Sequence, residues 1–410
     1  EIVYRPFCEY YTTSSGTKAP PRILQTSMYE PSQPWSYTAC IKAPDQVVEL
    51  NVGRAPDAIL QTNFSISLPH EIMGFGGAFT EAAALNFHQL SDNGQKVVLE
   101  LLFGRTGLGY AMGRVPINSC DFSIKSYNFD DVEDDFDLKH FDTSLHHDVQ
   151  NGMIDFITRA QEAYADAWDH SLNIFASPWS PPAWMKRPTD QDSSNAIHAS
   201  KMTYSHEPNC LRGELGPENS KYARAWAKYF SKYIQAYKDH NVSFFAVSVQ
   251  NEPEFNAPWE ACAFTAVDMT DFVAYHLGPV LKQNHPNLTV LGFDHNTDHV
   301  DLWMNTMLNA TKSSHIAAQY VGGTAFHWYA GGMDRLLDGA VGISNLHRLR
   351  ENLQKLGLED HLVLGSEACH CPTTGYAGGD IAIYWSRAER YAHAILADMA
   401  AGVQGWLEWN

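Results

Sequence analysis

Hydrophobic and polar positions along this chain change rhythm near residue 74. Before it, runs such as Val47-Val48-Glu49-Leu50-Asn51-Val52 and Leu60-Gln61-Thr62-Asn63-Phe64-Ser65-Ile66-Ser67-Leu68 alternate, with turn-forming clusters at Ser14-Ser15-Gly16, Pro20-Pro21 and Pro31 to Pro34. A period of two, broken by turns, is the pattern of antiparallel strands with one wet face. Residues 1–73 are therefore expected to be strand-rich and to precede the main domain.

From Gly74 onward, short apolar or glycine-rich runs alternate with long amphipathic stretches, the signature of repeated βα units. Eight strands are expected, at 74–80, 109–117, 173–179, 244–250, 289–294, 324–329, 362–368 and 402–409. Helical stretches between them include Ser220 to His240, with Tyr222, Trp226, Tyr229, Phe230, Tyr233 and Ile234 at helical spacing, and Asp380 to Ala401. Aromatic stripes at that spacing are core packing more often than binding surface. Eight units predict an α/β chain closed as a (β/α)8 TIM barrel over residues 74–410, with its active site at the carboxyl ends of the strands. The sequence ends at Asn410, directly after the eighth strand and without a helix to cover it, so the natural polypeptide is expected to continue.

Two of these strands end in a carboxylate. The fourth, Phe244 to Gln250, is rich in Phe and Val and stops at Asn251-Glu252-Pro253; the seventh runs from His361 to Ser366-Glu367. Either Glu alone reads equally well as a solvated loop residue. Two at one barrel mouth are what glycosidic bond cleavage requires, one protonating the leaving oxygen while the other attacks or activates water. The other strand ends carry Asp121, Trp179, His327-Trp328-Tyr329 and Trp409-Asn410. Indole rings stack on the C–H faces of sugars, and carboxylates and amides hold their hydroxyls. Arg114, within the second strand, is either a support for a catalytic carboxylate or a plain buried ion-pair partner.

Composition narrows the classes. The 410 residues are 44% hydrophobic and 18% charged, an ordinary globular balance. A formal net charge of −19 with scattered Lys and Arg excludes nucleic acid as a partner. The acidic block Asp130-Asp131-Val132-Glu133-Asp134-Asp135 lacks the ligand spacing and glycine of a calcium loop and reads as a solvated loop. Neither His295 and His299, beside Asp294 and Asp298, nor Cys369-His370-Cys371 has the pattern of a zinc site, so no metal and no cofactor are expected. No apolar run approaches the ~20 residues of a membrane span. Of the seven cysteines, Cys120, Cys262 and Cys369 are expected as buried free thiols, while Cys8 and Cys40 are candidates for a disulfide. Asn-x-Ser/Thr acceptors at Asn63, Asn241, Asn287 and Asn309 fit a lysosomal or secreted glycoprotein.

The chain resembles glycoside hydrolase family 30, most closely its lysosomal glucosylceramidase branch. The stretches that carry the resemblance are GFGGAFTEAAALNF from Gly74, RVPINSCDFSIKSY from Arg114, SPWSPPAWMK from Ser177, QNEP from Gln250, HWY from His327, SEAC from Ser366 and GWLEWN from Gly405. The resemblance implies a barrel with an attached β-sandwich and a retaining mechanism, with Glu252 as acid/base and Glu367 as nucleophile. It implies sugar-binding roles for Asp121, Trp179, Asn251 and Trp409, a place near the nucleophile for Tyr329, and a supporting role for Arg114. It also implies a glycolipid or β-glucoside substrate met at a lipid surface, with a saposin-like activator. The loop Glu254 to Cys262, the segment His370-Cys371-Pro372 and the sparse amino-terminal cysteines depart from that branch. They leave the leaving group open between ceramide and the glucan or xylan of other family members. A carbohydrate- or lipid-binding protein without chemistry is the rival from another class. In the expected scheme, the charge on Glu367 keeps Glu252 protonated.

Overall fold

The computed structural model describes residues 36–43, 46–53, 70–187, 209–310, 312–329, 341–370 and 381–409. Strands β1 (Ser36–Ala43) and β2 (Gln46–Gly53) form an antiparallel hairpin, from Ser36 opposite Gly53 to Ala43 opposite Gln46. Among the described residues, this hairpin is what precedes the barrel. The alternating run at 60–68, Cys8, Asn63, Cys371 and Asn410 lie outside them, and so does any further strand of a β-sandwich.

Eight parallel strands then close a barrel: β3 (Gly74–Ala78), β4 (Met112–Ile117), β5 (Asn173–Pro178), β6 (Ala246–Ser248), β7 (Thr289–Asn296), β8 (Val321–His327), β9 (Leu362–Glu367) and β10 (Gly405–Leu407). Neighbours in space are neighbours in sequence until β10 returns to β3, setting Gly405, Trp406 and Leu407 beside Gly74, Phe75 and Gly76. All eight expected strands form. The second begins later than its apolar run, because Gly109 turns the chain at φ 62°, and the last is trimmed on its amino side by Gly402 at φ 89°. Gly76 answers to a close approach: a Cβ there would lie 2.0 Å from the Met112 carbonyl oxygen of the next strand.

The helices begin where their caps allow. Thr80 accepts from the Ala83 amide at 3.2 Å to start helix Glu81–Gln89, and Ser91 does the same for Asp92–Phe103 through Gly94. Helix Lys221–Asp239 buries the expected aromatic stripe, Trp226, Tyr229, Phe230, Tyr233 and Ile234. Its phenols also tether the end of β4, since Tyr229 Oη donates to Asn118 at 2.5 Å and Tyr233 Oη to the Pro116 carbonyl at 3.0 Å.

Two expectations change. Cys262 is not a free thiol but is bonded to Cys210, joining the segment before helix Lys221–Asp239 to the loop after β6; Cys120 does stay a buried free thiol. The acidic block is solvated except for Asp130, which is buried while its carbonyl accepts from the Trp184 indole at 2.9 Å, and Asp135, whose carboxylate accepts from the His140 amide at 2.8 Å. Asn241, Asn287 and Asn309 are all exposed.

Candidate active site

Strand alternation builds the floor of the site. Met112, Phe175, Ala246, Leu291, Ala325, Leu364 and Leu407 form an apolar layer inside the barrel, one residue from each of β4 to β10. Side chains two positions on point the same way. On six of these strands that next residue is Arg114, Ser177, Ser248, His327, Ser366 or Trp409, all buried. A dry plug thus underlies a polar floor at the carboxyl ends.

Arg114 has no solvent exposure and makes four contacts there. It donates to Glu367 Oε2, to Asn251 Oδ1 at 2.9 Å, to Asp294 Oδ2 at 3.0 Å and to Ser177 Oγ at 3.1 Å. Arg114 is thus a buried ion-pair partner of both Glu367 and Asp294. Its guanidinium also lies 4.8 Å from the Trp179 ring centroid and 5.4 Å from that of Trp409. The two indoles stack on each other at 4.9 Å and are almost fully buried. They wall the site, and the face each gives to the other is closed to a sugar.

Glu367 is buried beside Tyr329, whose Oη donates to Oε1 at 3.0 Å and also lies 3.3 Å from Cys369 Sγ. Asn251 is fixed by its amide, which donates to the Pro178 carbonyl at 2.8 Å, and Gln250 reaches the Trp179 carbonyl at 2.8 Å. These bonds pin the end of β6 to the end of β5. Glu252 follows with φ 46°, a left-handed backbone seldom taken by residues other than glycine. One oxygen of each catalytic-type carboxylate and a ring nitrogen of His327 lie within 4.8 Å of one another.

His327 stands between the two carboxylates. Its Nδ1 stands 3.4 Å from Glu252 Oε1, an ion-pair contact without hydrogen-bond alignment, and its Nε2 is 3.1 Å from Asp294 and 3.8 Å from Glu367. Burial pushes His327 down, but the charge on Glu367 and the bonds to its carboxylate partners more than reverse this, holding it up to about 9. Burial likewise pushes Glu252 up, yet His327, His295 and Arg114 together bring it below the ordinary carboxyl value. The expectation that Glu367 keeps Glu252 protonated is thus corrected: an imidazolium stands beside both carboxylates, and the proton rests on the Glu252–His327 pair as a unit.

Asp121 is exposed yet partly desolvated at the mouth. That desolvation, with repulsion from Glu367 and Glu252, pushes its carboxyl up to about 7, against a hydrogen bond from Trp409. All eight residues singled out in the sequence (Arg114, Asp121, Trp179, Asn251, Glu252, Tyr329, Glu367 and Trp409) thus meet at one mouth. Trp328 does not: it turns outward and stacks on Tyr391 at 4.5 Å.

Other residues had no role assigned. In the sequence His327 stands out only as a strand-end and motif residue, Asp294 only as part of a metal-like pattern, Ser177 and Ser366 only as the first residues of two motifs, and Ser248 only within its strand. A serine two positions past an inward apolar residue on three strands was the available signal. His295 and His299 turn instead to Glu254, which His299 Nδ1 meets at 3.0 Å. Among the described residues, the His/Cys/Asp/Glu trio close enough to share an ion is Glu252, His327 and Glu367. An imidazole must be unprotonated to bind metal, and the carboxylates around His327 favour its proton instead.

On the Glu252 side of the site, Pro253, Glu254, Phe264, His295, Asp298 and His299 are among the residues lining a cavity of about 720 Å³.

The chain is 30% identical over 375 residues to the lysosomal acid glucosylceramidase of Mus musculus, covering 88% of this chain and 65% of that one. It is 28% identical to the endo-1,6-beta-D-glucanase BGN16.3 of Trichoderma harzianum, covering 82% of this chain and 60% of that one. Among solved structures, SrfJ from Salmonella typhimurium superposes with a TM-score of 0.66 at 26% identity, over 83% of this chain and 65% of its own. The chain thus spans about 60–65% of the length of these relatives. The glycosyl hydrolase family 30 TIM-barrel domain matches residues 72–410, and the chain belongs to that family of glycoside hydrolases.

Proposed function

We propose that this chain is the catalytic domain of a retaining, exo-acting β-glycosidase that hydrolyses glucosylceramide to glucose and ceramide. The observation that carries the reading is the closeness of Glu252 and Glu367, with oxygens within 4.8 Å. Retaining enzymes hold their carboxyls ~5–5.5 Å apart, whereas inverting ones need ~6.5–9.5 Å to seat a water. Glu367, oriented by Arg114 and Tyr329, attacks the anomeric carbon. As the glycosidic C–O bond breaks, the leaving oxygen takes the proton held by the Glu252–His327 pair, through Glu252. Glu252 then accepts a proton from water, whose oxygen displaces Glu367 and releases the sugar. The mouse relative supports ceramide as the leaving group. A carbohydrate-binding protein without chemistry has no use for two carboxylates poised against an imidazolium.

A lysosomal or secreted setting is part of the same proposal. The Cys210–Cys262 disulfide and the exposed acceptors Asn241, Asn287 and Asn309 support passage through an oxidising compartment. Contact with a lipid surface and a saposin-like activator follow from the glucosylceramidase reading alone.

The second reading, hydrolysis of β-1,6-glucan, is favoured by the cavity beyond Glu252, whose ionisable lining suits a hydroxylated leaving group better than an alkyl one. The test is the full-length polypeptide at acid pH, assayed side by side on glucosylceramide in detergent micelles and on β-1,6-glucan. Glucose from the lipid is the expected result, and release from the glucan alone moves the protein to the second reading. Proton NMR of the first-formed sugar should show the β-anomer; the α-anomer rules out retention.

A further inference from the structure

Leu291 belongs to the apolar layer, so plain alternation along β7 would aim Phe293 at the polar floor. The strand breaks its own pattern there. Its pairing with β8 slips between Phe293 and His295, and Phe293 and Asp294 take φ 73° and 66°, two consecutive non-glycine residues in the left-handed region. Phe293 turns outward to pack against Trp303 at 5.3 Å, and Asp294 occupies the inward place. Bulges re-aim side chains beside active sites, and strain of this kind persists only where the surroundings over-determine it.

Those surroundings are dense. The Asp294 carboxylate has no solvent exposure and lies within hydrogen-bond distance of five side chains: Ser248 at 2.5 Å, Ser366 at 2.6 Å, Arg114 and Ser177 at 3.0 Å, and His327 at 3.1 Å. Its carbonyl accepts from the Glu252 amide at 2.9 Å. A single residue therefore touches the guanidinium that orients the nucleophile, the imidazole beside the acid/base, and the backbone of the acid/base itself.

We propose that Asp294 is a positioning residue for the glycosidase reaction: an anion aimed by the β7 bulge that fixes the proton of the Glu252–His327 pair and so sets the pH range of turnover. This rests on the retaining reading and adds to it a residue that never meets substrate.

The groups facing His327 account for the charge. Glu252 comes from the end of β6, Asp294 from β7 and Glu367 from β9; the His295 and Tyr329 rings stand 6.4 and 6.0 Å away, and Arg114 on β4 is reached through Asp294. Burial pushes Asp294 up, but Arg114, His327 and Ser248 hold it well below the ordinary carboxylate range. It stays an anion throughout the working range, and every protonated form of the pair leans on it. Removing that charge makes each proton easier to lose.

The test is Asp294→Asn, which keeps shape and removes charge. The bell-shaped pH profile of kcat/KM should move to lower pH, its alkaline limb by about one unit or more, while kcat falls. A variant with reduced activity and an unmoved alkaline limb overturns the proposal, because a merely structural aspartate would act evenly at all pH values. Should the variant fail to fold, the wild-type protein answers through NMR of labelled histidine, with His327→Gln identifying the resonance. His327 should titrate above about 8; titration at or below its ordinary value of 6.5 overturns the proposal. The imidazole measurement needs no turnover. A protein that hydrolyses no β-glucoside while His327 titrates high refutes the glycosidase reading and leaves the Asp294–His327 link standing.

Discussion

Arg114 on β4 donates to Glu367 at the end of β9, joining residues 253 apart in sequence in a buried ion pair. Removing one member of such a pair strands the other. Arg114→Met should therefore lower stability by about 3–5 kcal/mol in urea unfolding. Arg114→Lys keeps the charge but not the planar fork that reaches Glu367, Asn251 and Asp294 together. It should fold and lose most of its kcat; near-normal kcat in the lysine variant would show that orienting the nucleophile does not depend on the guanidinium.

The two carboxylates should separate by leaving group. Glu252→Gln is expected to lower kcat/KM by roughly 10²–10⁴-fold on an alkyl β-glucoside, whose oxygen needs a proton. It should cost much less on an activated aryl glucoside, whose oxygen leaves unaided. Glu367→Gln should abolish turnover of both. Equal losses for Glu252→Gln on the two substrates would remove it from the acid role.

Stability should favour acid conditions. Burial pushes the Asp398 carboxyl up to about 7, against a bond from the Trp406 indole at 3.3 Å, and Glu408 up to about 7 beside Tyr391. A carboxyl raised in the folded state binds its proton more tightly there than in the unfolded chain. Its stabilisation is full below the ordinary carboxyl value and is lost as pH climbs from that value through about 7, at about 1.4 kcal/mol per unit for each group. Unfolding free energy should thus be higher at pH 5 than at pH 7, and Asp398→Asn should flatten the difference. A wild-type Tm that rises from pH 5 to pH 7 contradicts this account.

Reduction should also weaken the fold. The Cys210–Cys262 bond closes a sequence separation of 52 residues, for which the chain-entropy estimate is about 4 kcal/mol. Dithiothreitol, or paired Cys→Ser substitutions, should lower Tm by several degrees. No change would mean that the loop it closes is already ordered when the chain is unfolded.

Much of this architecture was legible in the chain because barrels repeat. Apolar runs between amphipathic stretches marked all eight strands, and Glu252 and Glu367 stood where two of them stopped. The trimmed ends of β4 and β10 were less visible, since Gly109 and Gly402 act through backbone conformation and not through hydrophobicity. The β7 bulge was not legible: alternation nominates Phe293, and only the slip against β8 reveals that Asp294 replaces it. The charge state of Glu252 escaped for a different reason. It depends on His327, a residue 75 positions along the chain (327 − 252) whose proton is held up to about 9 by Glu367 and Asp294. The pairing of Cys262 with Cys210 was hidden in the same way, because spacing cannot show which thiols the loops bring together.

The apolar layer from Met112 to Leu407 gives the cluster above it a second identity. Arg114 waits on the second barrel strand, above a floor that admits no water, for partners on the fourth, fifth and seventh. A barrel with any of those strands out of place holds a bare cation over oil, so half-formed versions of the sheet are penalised by the same charges that the proposed reaction uses. Closure of the sheet and burial of that cation among its carboxylates are then coupled.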